Sequence, residues 1–206
     1  PLECIQVEVP VDHDAPDGET LTLNGRRSVP QGDPLGTLFV IFEGFGKSGP
    51  TELGDFLDEM PELLNRYDIV VWDVRGSGTS LRLSCVVQWD PILETLPPVT
   101  DVEAAQAQID ARADLIETCR TTRGGLIDNM SLADHVGDME AIRADLGVEE
   151  LSILAYGDGS ALALAYVEAH GDKVDSLILD SPRSPVGGGP VRAGDRMDAL
   201  ADNLDT

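Results

Sequence analysis

The sequence predicts an α/β fold: a doubly wound, mostly parallel sheet with a leading antiparallel hairpin. Short, nearly continuous apolar runs recur along the chain and are typical of strands buried on both faces. Segments with the apolar spacing of a helix lie between these runs. Because strand and helix alternate, we expect crossover helices on both faces of the sheet. The apolar runs are TLFVIF at 37 to 42, YDIVVW at 67 to 72, LSILAY at 151 to 156 and VDSLIL at 174 to 179.

The hairpin is predicted from the first 23 residues, in which apolar residues alternate with polar ones. This period of two is expected of half-buried strands, and the segment APDG at 15 to 18 is a turn signal between them. Helical spacing predicts three helices, over 51 to 66, 131 to 146 and 160 to 169. The alternating residues are Ile5, Val7, Val9 and Val11, followed by Leu21 and Leu23.

Residues 81 to 125 interrupt the alternation of strand and helix. Three prolines break the first part, and an alanine-rich helix is predicted from about 101 to 119. We expect this segment to be an excursion over the sheet. The chain of 206 residues has the size of one domain, so we assign 1–182 to the core and 183–206 to a linker or the start of a lid.

The composition excludes several classes of protein. The formal net charge of −24 excludes a nucleic-acid binder, because phosphate contacts need clustered lysine and arginine. No apolar run reaches the length of about 20 residues that a membrane span requires. The acidic stretch DHDAPDGE at 12 to 19 lacks the spacing of a calcium-binding loop, and we expect neither a metal nor a cofactor.

The three cysteines leave two alternatives open. Cys4, Cys85 and Cys119 lack the spacing of a zinc site. A disulfide between Cys85 and Cys119 would close a loop of about 35 residues, contribute about 3 to 4 kcal/mol and indicate an oxidising compartment. The alternative is three reduced, buried cysteines in a cytosolic protein.

Several motifs occur in an order that resembles a known family. The turn after the run at 151 to 156 occupies the place of the nucleophile elbow G-x-S-x-G. The segment FEGFGKSG at 42 to 49 lies where an oxyanion-hole loop follows a third strand, and WDVRGSGTS at 72 to 80 is similar to the turn after a fourth. Over essentially the whole chain, the sequence resembles secreted tripeptidyl aminopeptidases and proline iminopeptidases of the α/β-hydrolase superfamily.

The resemblance implies a fold and several site residues. It implies the strand order 1-2-4-3-5-6-7-8, of which this chain would end after the sixth strand, so that the domain would be truncated. It also implies a secreted or cell-surface protein in which Cys85 pairs with Cys119. This pairing leaves Cys4 over. Its partner was lost when the N-terminus was processed, or it lies in another chain. The residues equivalent to the oxyanion loop are Gly44, Phe45 and Gly46.

The chain departs from the family at the catalytic position. Gly157 stands where the family has the attacking serine, between Tyr156 and Asp158 and two residues before Gly159. A glycine has no side chain that could attack. Asp158 as nucleophile is a remote alternative, because a shift of one residue would aim its carboxylate elsewhere. For Ser160, an ordinary hydroxyl at the start of a helix is the better interpretation.

The other members of a catalytic triad are also missing from the predicted arrangement. In this fold the acid and the histidine follow later strands. His13, His135 and His170 all precede that point, and we interpret them as ordinary surface or helix residues. Asp180 ends a strand, in a turn that is structural in the family. Glu43 beside the predicted oxyanion loop would oppose a developing negative charge, unless it points away or pairs with Lys47.

These departures favour a catalytically silent, peptidase-like relative that serves binding or assembly. The alternative is a fragment of an active serine peptidase or esterase that requires a further segment. In either case we expect the sixth strand to form an open sheet edge that invites a second polypeptide or another copy. The edge is predicted at Leu177, Ile178 and Leu179.

Overall fold

The computed structural model describes residues 2–30, 32–42, 48–80 and 100–182. The predicted oxyanion loop at 44–46, Cys85 and the predicted linker at 183–206 lie outside the described residues.

Six strands form one mixed sheet in the order β1-β2-β4-β3-β5-β6. β1 pairs with β2, and β2 with β4, in antiparallel orientation, whereas the remaining neighbours are parallel. The predicted fold class is therefore confirmed, including the antiparallel start. The strands are β1 (Leu2–Pro10), β2 (Thr20–Ser28), β3 (Thr37–Ile41), β4 (Asp68–Trp72), β5 (Leu151–Tyr156) and β6 (Val174–Asp180).

The hairpin forms as its alternation predicts. β1 and β2 pair in register from Leu2 opposite Ser28 to Pro10 opposite Thr20. The hairpin joins the sheet where Gly25 lies opposite Trp72. A Cβ atom at residue 25 would lie 2.5 Å from the carbonyl oxygen of Val71, so only glycine permits this approach.

The central strands are buried on both faces, as their apolar runs predict. Every residue of β3 and β4 is buried, and so is all of β5 except Tyr156. The same prediction is wrong for β6, which has no buried residue. Among the described residues β6 is the edge of the sheet, and Ile178 is 58% exposed. Leu177 and Leu179 are partly buried against the core.

Four α-helices accompany the sheet in the described part of the chain. The first ends at Glu59 and not at residue 66, because Pro61 cannot continue the helix, and a short 3₁₀ turn follows. The second is longer than predicted and is kinked at Arg123. The third begins with a capping box of Ser131 and Asp134. The helices are α1 (Gly49–Glu59), α2 (Val102–Asp128), α3 (Leu132–Asp145) and α4 (Gly159–His170).

The core has two parts, one on each face of the sheet. On one face α1 packs against β3, β4 and β5 through Leu53, Phe56 and Leu57. On the other face α3 and α4 cover the hairpin and the central strands. The second half of α2 joins this larger cluster through Cys119 and Leu126. Helices on both faces confirm the doubly wound arrangement. In the described part of the chain, no helix is long and apolar enough to cross a membrane.

Candidate functional site

The turn between β5 and α4 is sharp and is fixed by its own backbone. Gly157 has a φ of +50°, a conformation that favours glycine. Its N–H donates to the carbonyl oxygen of Asp180 at 2.9 Å, which ties the turn to the end of β6. The carbonyl oxygen of Gly157 accepts from the backbone N–H of Ser160 at 3.2 Å. The strand, turn and helix therefore form a sharp strand–turn–helix at the carboxyl end of β5, at the place where the elbow is predicted.

Gly159 allows α4 to begin directly against β3. A Cβ atom at this position would lie 2.8 Å from Cγ2 of Ile41 and 2.9 Å from its carbonyl oxygen. It would also lie 3.1 Å from the carbonyl oxygen of Phe42. The second glycine of the elbow is thus required by packing, whereas Gly157 is favoured by its backbone conformation.

The side chains of the elbow offer little nucleophilic chemistry. Ser160 is 0% exposed, and its hydroxyl donates to the carbonyl oxygen of Gly157 at 2.5 Å. Asp158 is partly exposed and makes no side-chain cap to α4. The observed contacts of Asp180 are structural, because its carbonyl holds Gly157 and its carboxylate accepts from the Ser181 hydroxyl.

An aromatic group flanks the elbow. Tyr156 stacks on Phe42 with ring centroids 6.1 Å apart, and Phe42 meets Phe56 edge-on at 5.8 Å. Burial raises the pKa of Tyr156, and the nearby charges of Asp180 and Glu59 raise it further. The phenol therefore stays protonated at neutral pH and cannot act as a base there.

The three histidines are engaged or placed elsewhere. His170 ends α4, about 16 Å along the helix from the elbow, and its ring packs on Tyr166 with centroids 5.0 Å apart. His135 is 6% exposed in the first turn of α3, and burial lowers its pKa. His13 lies in the loop after β1, with Nε2 at 3.0 Å from Asp138 Oδ1. His135 is thus a buried helix residue, and His13 is part of an ion-pair network and not an ordinary surface residue.

This network centres on Arg75, which sequence reasoning did not single out. Arg75 is 0% exposed and donates to both carboxylate oxygens of Asp138, at 2.8 and 2.6 Å. It also donates to the carbonyl oxygens of Val11 and Asn129, each at 2.7 Å. The arginine therefore fastens the loop after β4 to the end of β1, to the α2–α3 junction and to α3. The segment WDVRGSGTS pointed to a turn here, but nothing in it indicated Asp138 as the partner.

The loop after β4 is also held by a buried carboxylate. Asp73 Oδ2 accepts from the backbone N–H and the hydroxyl of Thr79, at 2.7 and 2.9 Å. Gly78 packs so closely that a Cβ atom there would lie 2.2 Å from the Asp73 carboxylate. Asp73 and Thr79 also line a concavity of about 540 Å³ between the hairpin and the start of α1. No described residue of the β5–α4 turn lines this concavity.

The remaining site predictions stay predictions. Gly44, Phe45 and Gly46 lie outside the described residues, as do Glu43 and Lys47. Within the described ranges, no group of three or more His, Cys, Asp or Glu side chains is placed to hold a metal ion.

The cysteine pairing also stays a prediction. Cys4 is exposed and free, and Cys119 is buried in the second half of α2. Cys85, the predicted partner of Cys119, falls in the segment 81–99, which is not described.

Strand order and elbow together define a class of protein: an α/β protein with a sharp strand–turn–helix at the carboxyl edge of its sheet. Residues 37–198 match the α/β hydrolase fold family. The chain therefore belongs to this family.

Curated relatives share about three residues in ten with this chain. The serine protease Hip1 of Mycobacterium tuberculosis is 31% identical over 191 residues, which are 88% of this chain and 36% of that protein. The tripeptidyl aminopeptidase of Streptomyces lividans is 29% identical over 197 residues, 90% of this chain and 36% of that protein. The chain thus spans little more than a third of the length of these relatives.

Solved structures show the same fold. A proline iminopeptidase-related protein from Thermus thermophilus superposes with a TM-score of 0.51 at 22% identity, over 87% of this chain and 45% of that one. A probable hydrolytic enzyme from Pseudomonas aeruginosa gives a TM-score of 0.53 at 15% identity, over 94% of this chain and 44% of that one. At these identities the likeness concerns the fold alone.

Proposed function

We propose that this chain is a catalytically silent member of the α/β hydrolase fold, a peptidase-like pseudoenzyme that serves binding or assembly. The observation that carries the proposal is the elbow, where the residue with a φ of +50° is Gly157 and has no side chain. The nearest serine hydroxyl along the chain, that of Ser160, is fully buried and committed to a carbonyl oxygen. Acyl transfer by a serine needs an exposed hydroxyl beside a base, and the elbow supplies neither.

The loop at 44–46 would retain the place of an oxyanion hole in this proposal. Without a nucleophile, backbone N–H groups there could still bind a carbonyl or carboxylate oxygen of a peptide. The old substrate cleft would then act as a binding site for peptides or esters that it does not cleave.

The alternative function is that of a fragment of an active serine peptidase or esterase. The names of the relatives, a serine protease and a tripeptidyl aminopeptidase, are the support for it. In that case a further segment supplies the missing groups.

Labelling with a fluorophosphonate probe tests the proposal, because the probe reacts only with an activated serine. We expect no labelling of the protein, and the same result for Ser160→Ala as a matched control. Labelling that Ser160→Ala abolishes would identify an unrecognised nucleophile and establish the enzyme. Labelling of the Gly157→Ser variant alone would show that base and oxyanion hole persist and that only the nucleophile is lost.

Assembly through β6 is the second part of the proposal. β6 lies at the edge of the described sheet and leaves Ile178 58% exposed beside the half-buried Leu177 and Leu179. An edge of this kind pairs readily with another strand. We propose that a second polypeptide or another copy of the chain covers it, and that the protein acts outside the cytoplasm with Cys85 and Cys119 paired.

The oligomeric state tests this part separately. Size-exclusion chromatography with light scattering should show a species larger than the monomer, and Ile178→Lys should return it to the monomer. A stable monomer that unfolds cooperatively would overturn assembly through β6 and leave the question of catalysis to the probe. Intact mass under non-reducing conditions identifies any second polypeptide that is held by a disulfide.

A further inference from the structure

The first half of α2 carries an apolar row that nothing in the described structure covers. Val102, Ile109 and Ile116 are 86%, 56% and 43% exposed. The buried residues of this helix, Leu115, Cys119 and Leu126, begin at its middle and lie on a different face from the row. α2 therefore joins the core through one face of its second half and leaves large aliphatic side chains in solvent from Val102 to Ile116.

The row has a strict spacing of seven residues. An apolar residue followed by an acidic one occurs three times: Val102 with Glu103, Ile109 with Asp110, and Ile116 with Glu117. Seven residues are almost two turns of an α-helix, so the apolar side chains line up and the carboxylates form a second row beside them. Three such repeats span about 21 Å. The row has one apolar residue per heptad and not the two of a coiled-coil seam, so it is a narrow apolar strip along which an elongated partner such as a helix can lie.

The charge around the row defines what can dock there. Residues 102–117 contain four acidic side chains and one arginine, Arg112. One further cation nearby, Arg120, is engaged with Glu117 at 3.3 Å and with Asp128 at 3.0 Å. Asp110 accepts a hydrogen bond from the neutral amide of Gln106 at 2.8 Å, and within the described ranges no cation pairs with it or with Glu103. A matching helix would carry lysine or arginine beside its own apolar row.

A second copy of this chain does not fit that description. The chain has a net charge of −24, and its described α-helices contain no lysine. Their arginines either lie in α2 itself, among the same carboxylates, or, in the case of Arg143, pair with a carboxylate of their own helix. An anionic lipid surface would be repelled by the same carboxylates.

We infer that the row Val102–Ile109–Ile116 is a docking surface for an amphipathic helix of another protein, with basic residues flanking the apolar row of that helix. The surface is separate from the elbow and from the β6 edge. The inference is therefore tested independently of the proposed function. Its energetic centre is Ile109 with Ile116, and the carboxylates fix the orientation and the specificity of the partner.

A designed helical peptide tests the inference by fluorescence anisotropy. The probe has three heptads with leucine in the apolar row and lysine beside it. The comparison peptide has the same composition with the leucines scrambled, so that the net charge is unchanged and the row is lost. At physiological ionic strength we expect the probe to bind at least about tenfold more tightly than the scrambled peptide.

Variants of the protein separate the row from general attraction to an acidic surface. Ile109→Gln combined with Ile116→Gln should weaken binding of the probe by about tenfold or more, and both positions are exposed, so the fold is retained. The matched control is Leu35→Gln, which removes an exposed aliphatic side chain from the loop before β3 and should leave binding unchanged. Circular dichroism verifies that the variants keep their helix content.

Three outcomes would overturn the inference. Equal affinity for the two peptides would mean that net charge alone attracts them. Undiminished binding to the Ile109→Gln/Ile116→Gln variant would place the probe elsewhere. Self-association that this double substitution abolishes would make a second copy the occupant.

Discussion

Asp138→Asn should destabilise the protein more than any other single substitution of a carboxylate outside the elbow. Asp138 is the only carboxylate within 3 Å of the Arg75 guanidinium among the described residues, and the two side chains are 1% and 0% exposed. Asparagine keeps the size of the side chain and one acceptor but removes the charge. Arg75 is then left as a buried cation whose nearest carboxylate is that of Asp134, at 3.8 Å.

The structure sets the expected magnitude. Removing one partner of a buried ion pair costs about 3 to 5 kcal/mol. Arg75 retains its bonds to the carbonyl oxygens of Val11 and Asn129, so the lower part of this range applies, about 3 kcal/mol. For a domain of this size, 1 kcal/mol lowers Tm by about 2 to 4 °C, which gives a decrease of about 6 to 12 °C.

The assay is thermal and urea unfolding followed by circular dichroism, with two comparison variants. Asp134→Asn removes a carboxylate that lies 3.8 Å from Arg75 and is 14% exposed, and it should cost about 1 kcal/mol, mainly through the capping box. Arg75→Met with Asp138→Leu replaces the pair by apolar side chains and should recover more than half of the stability that Asp138→Asn loses. If Asp138→Asn lowers the free energy of unfolding no more than Asp134→Asn does, the buried ion pair does not stabilise the protein as its geometry indicates.

Three further predictions concern acid, salt and thiols. The hydrogen bond from Arg143 lowers the pKa of Glu140 to about 2, from an ordinary value of 4.5, so its stabilising contribution is present above 4.5 and is lost as pH falls through 2. Near pH 5 the free energy of unfolding of the protein should therefore exceed that of Glu140→Gln by about 1 to 2 kcal/mol, and this difference should fall towards zero near pH 2. A difference that does not depend on pH would contradict the prediction. The net charge of −24 implies self-repulsion, so Tm should rise with added NaCl, whereas an unchanged or falling Tm would show that repulsion is not limiting. Thiol titration in denaturant without reductant should count one thiol, that of Cys4, and three after reduction; three before reduction would refute the pairing of Cys85 with Cys119.

Local sequence patterns predicted much of the fold. The period of two in the first strands and the four apolar runs predicted all six strands, because burial on one or both faces of a sheet constrains each residue by its immediate neighbours. Helix ends were also predicted where a local signal marks them. α3 begins directly after Ser131, at the predicted start, and a capping box lies there. Pro61 ended α1 earlier than the apolar spacing suggested, although that proline was visible in the sequence.

The elbow was also predictable as a turn. The glycine at 157 and the strand and helix that flank it mark the place, and the positive φ of Gly157 is what such a position requires. The reason for Gly159 was not predictable. It depends on Ile41, more than a hundred residues away, which the sheet brings to within 2.8 Å of a Cβ atom at this position.

The sequence by itself determined the class of fold, its strands and helices, and the turn at Gly157, because each depends on residues close together in the chain. Only the tertiary structure decided that Arg75 is buried against Asp138 and that α2 leaves the apolar row from Val102 to Ile116 in solvent. Apolarity in a sequence shows that a side chain benefits from burial, but the placement of distant elements determines whether a partner is there to bury it.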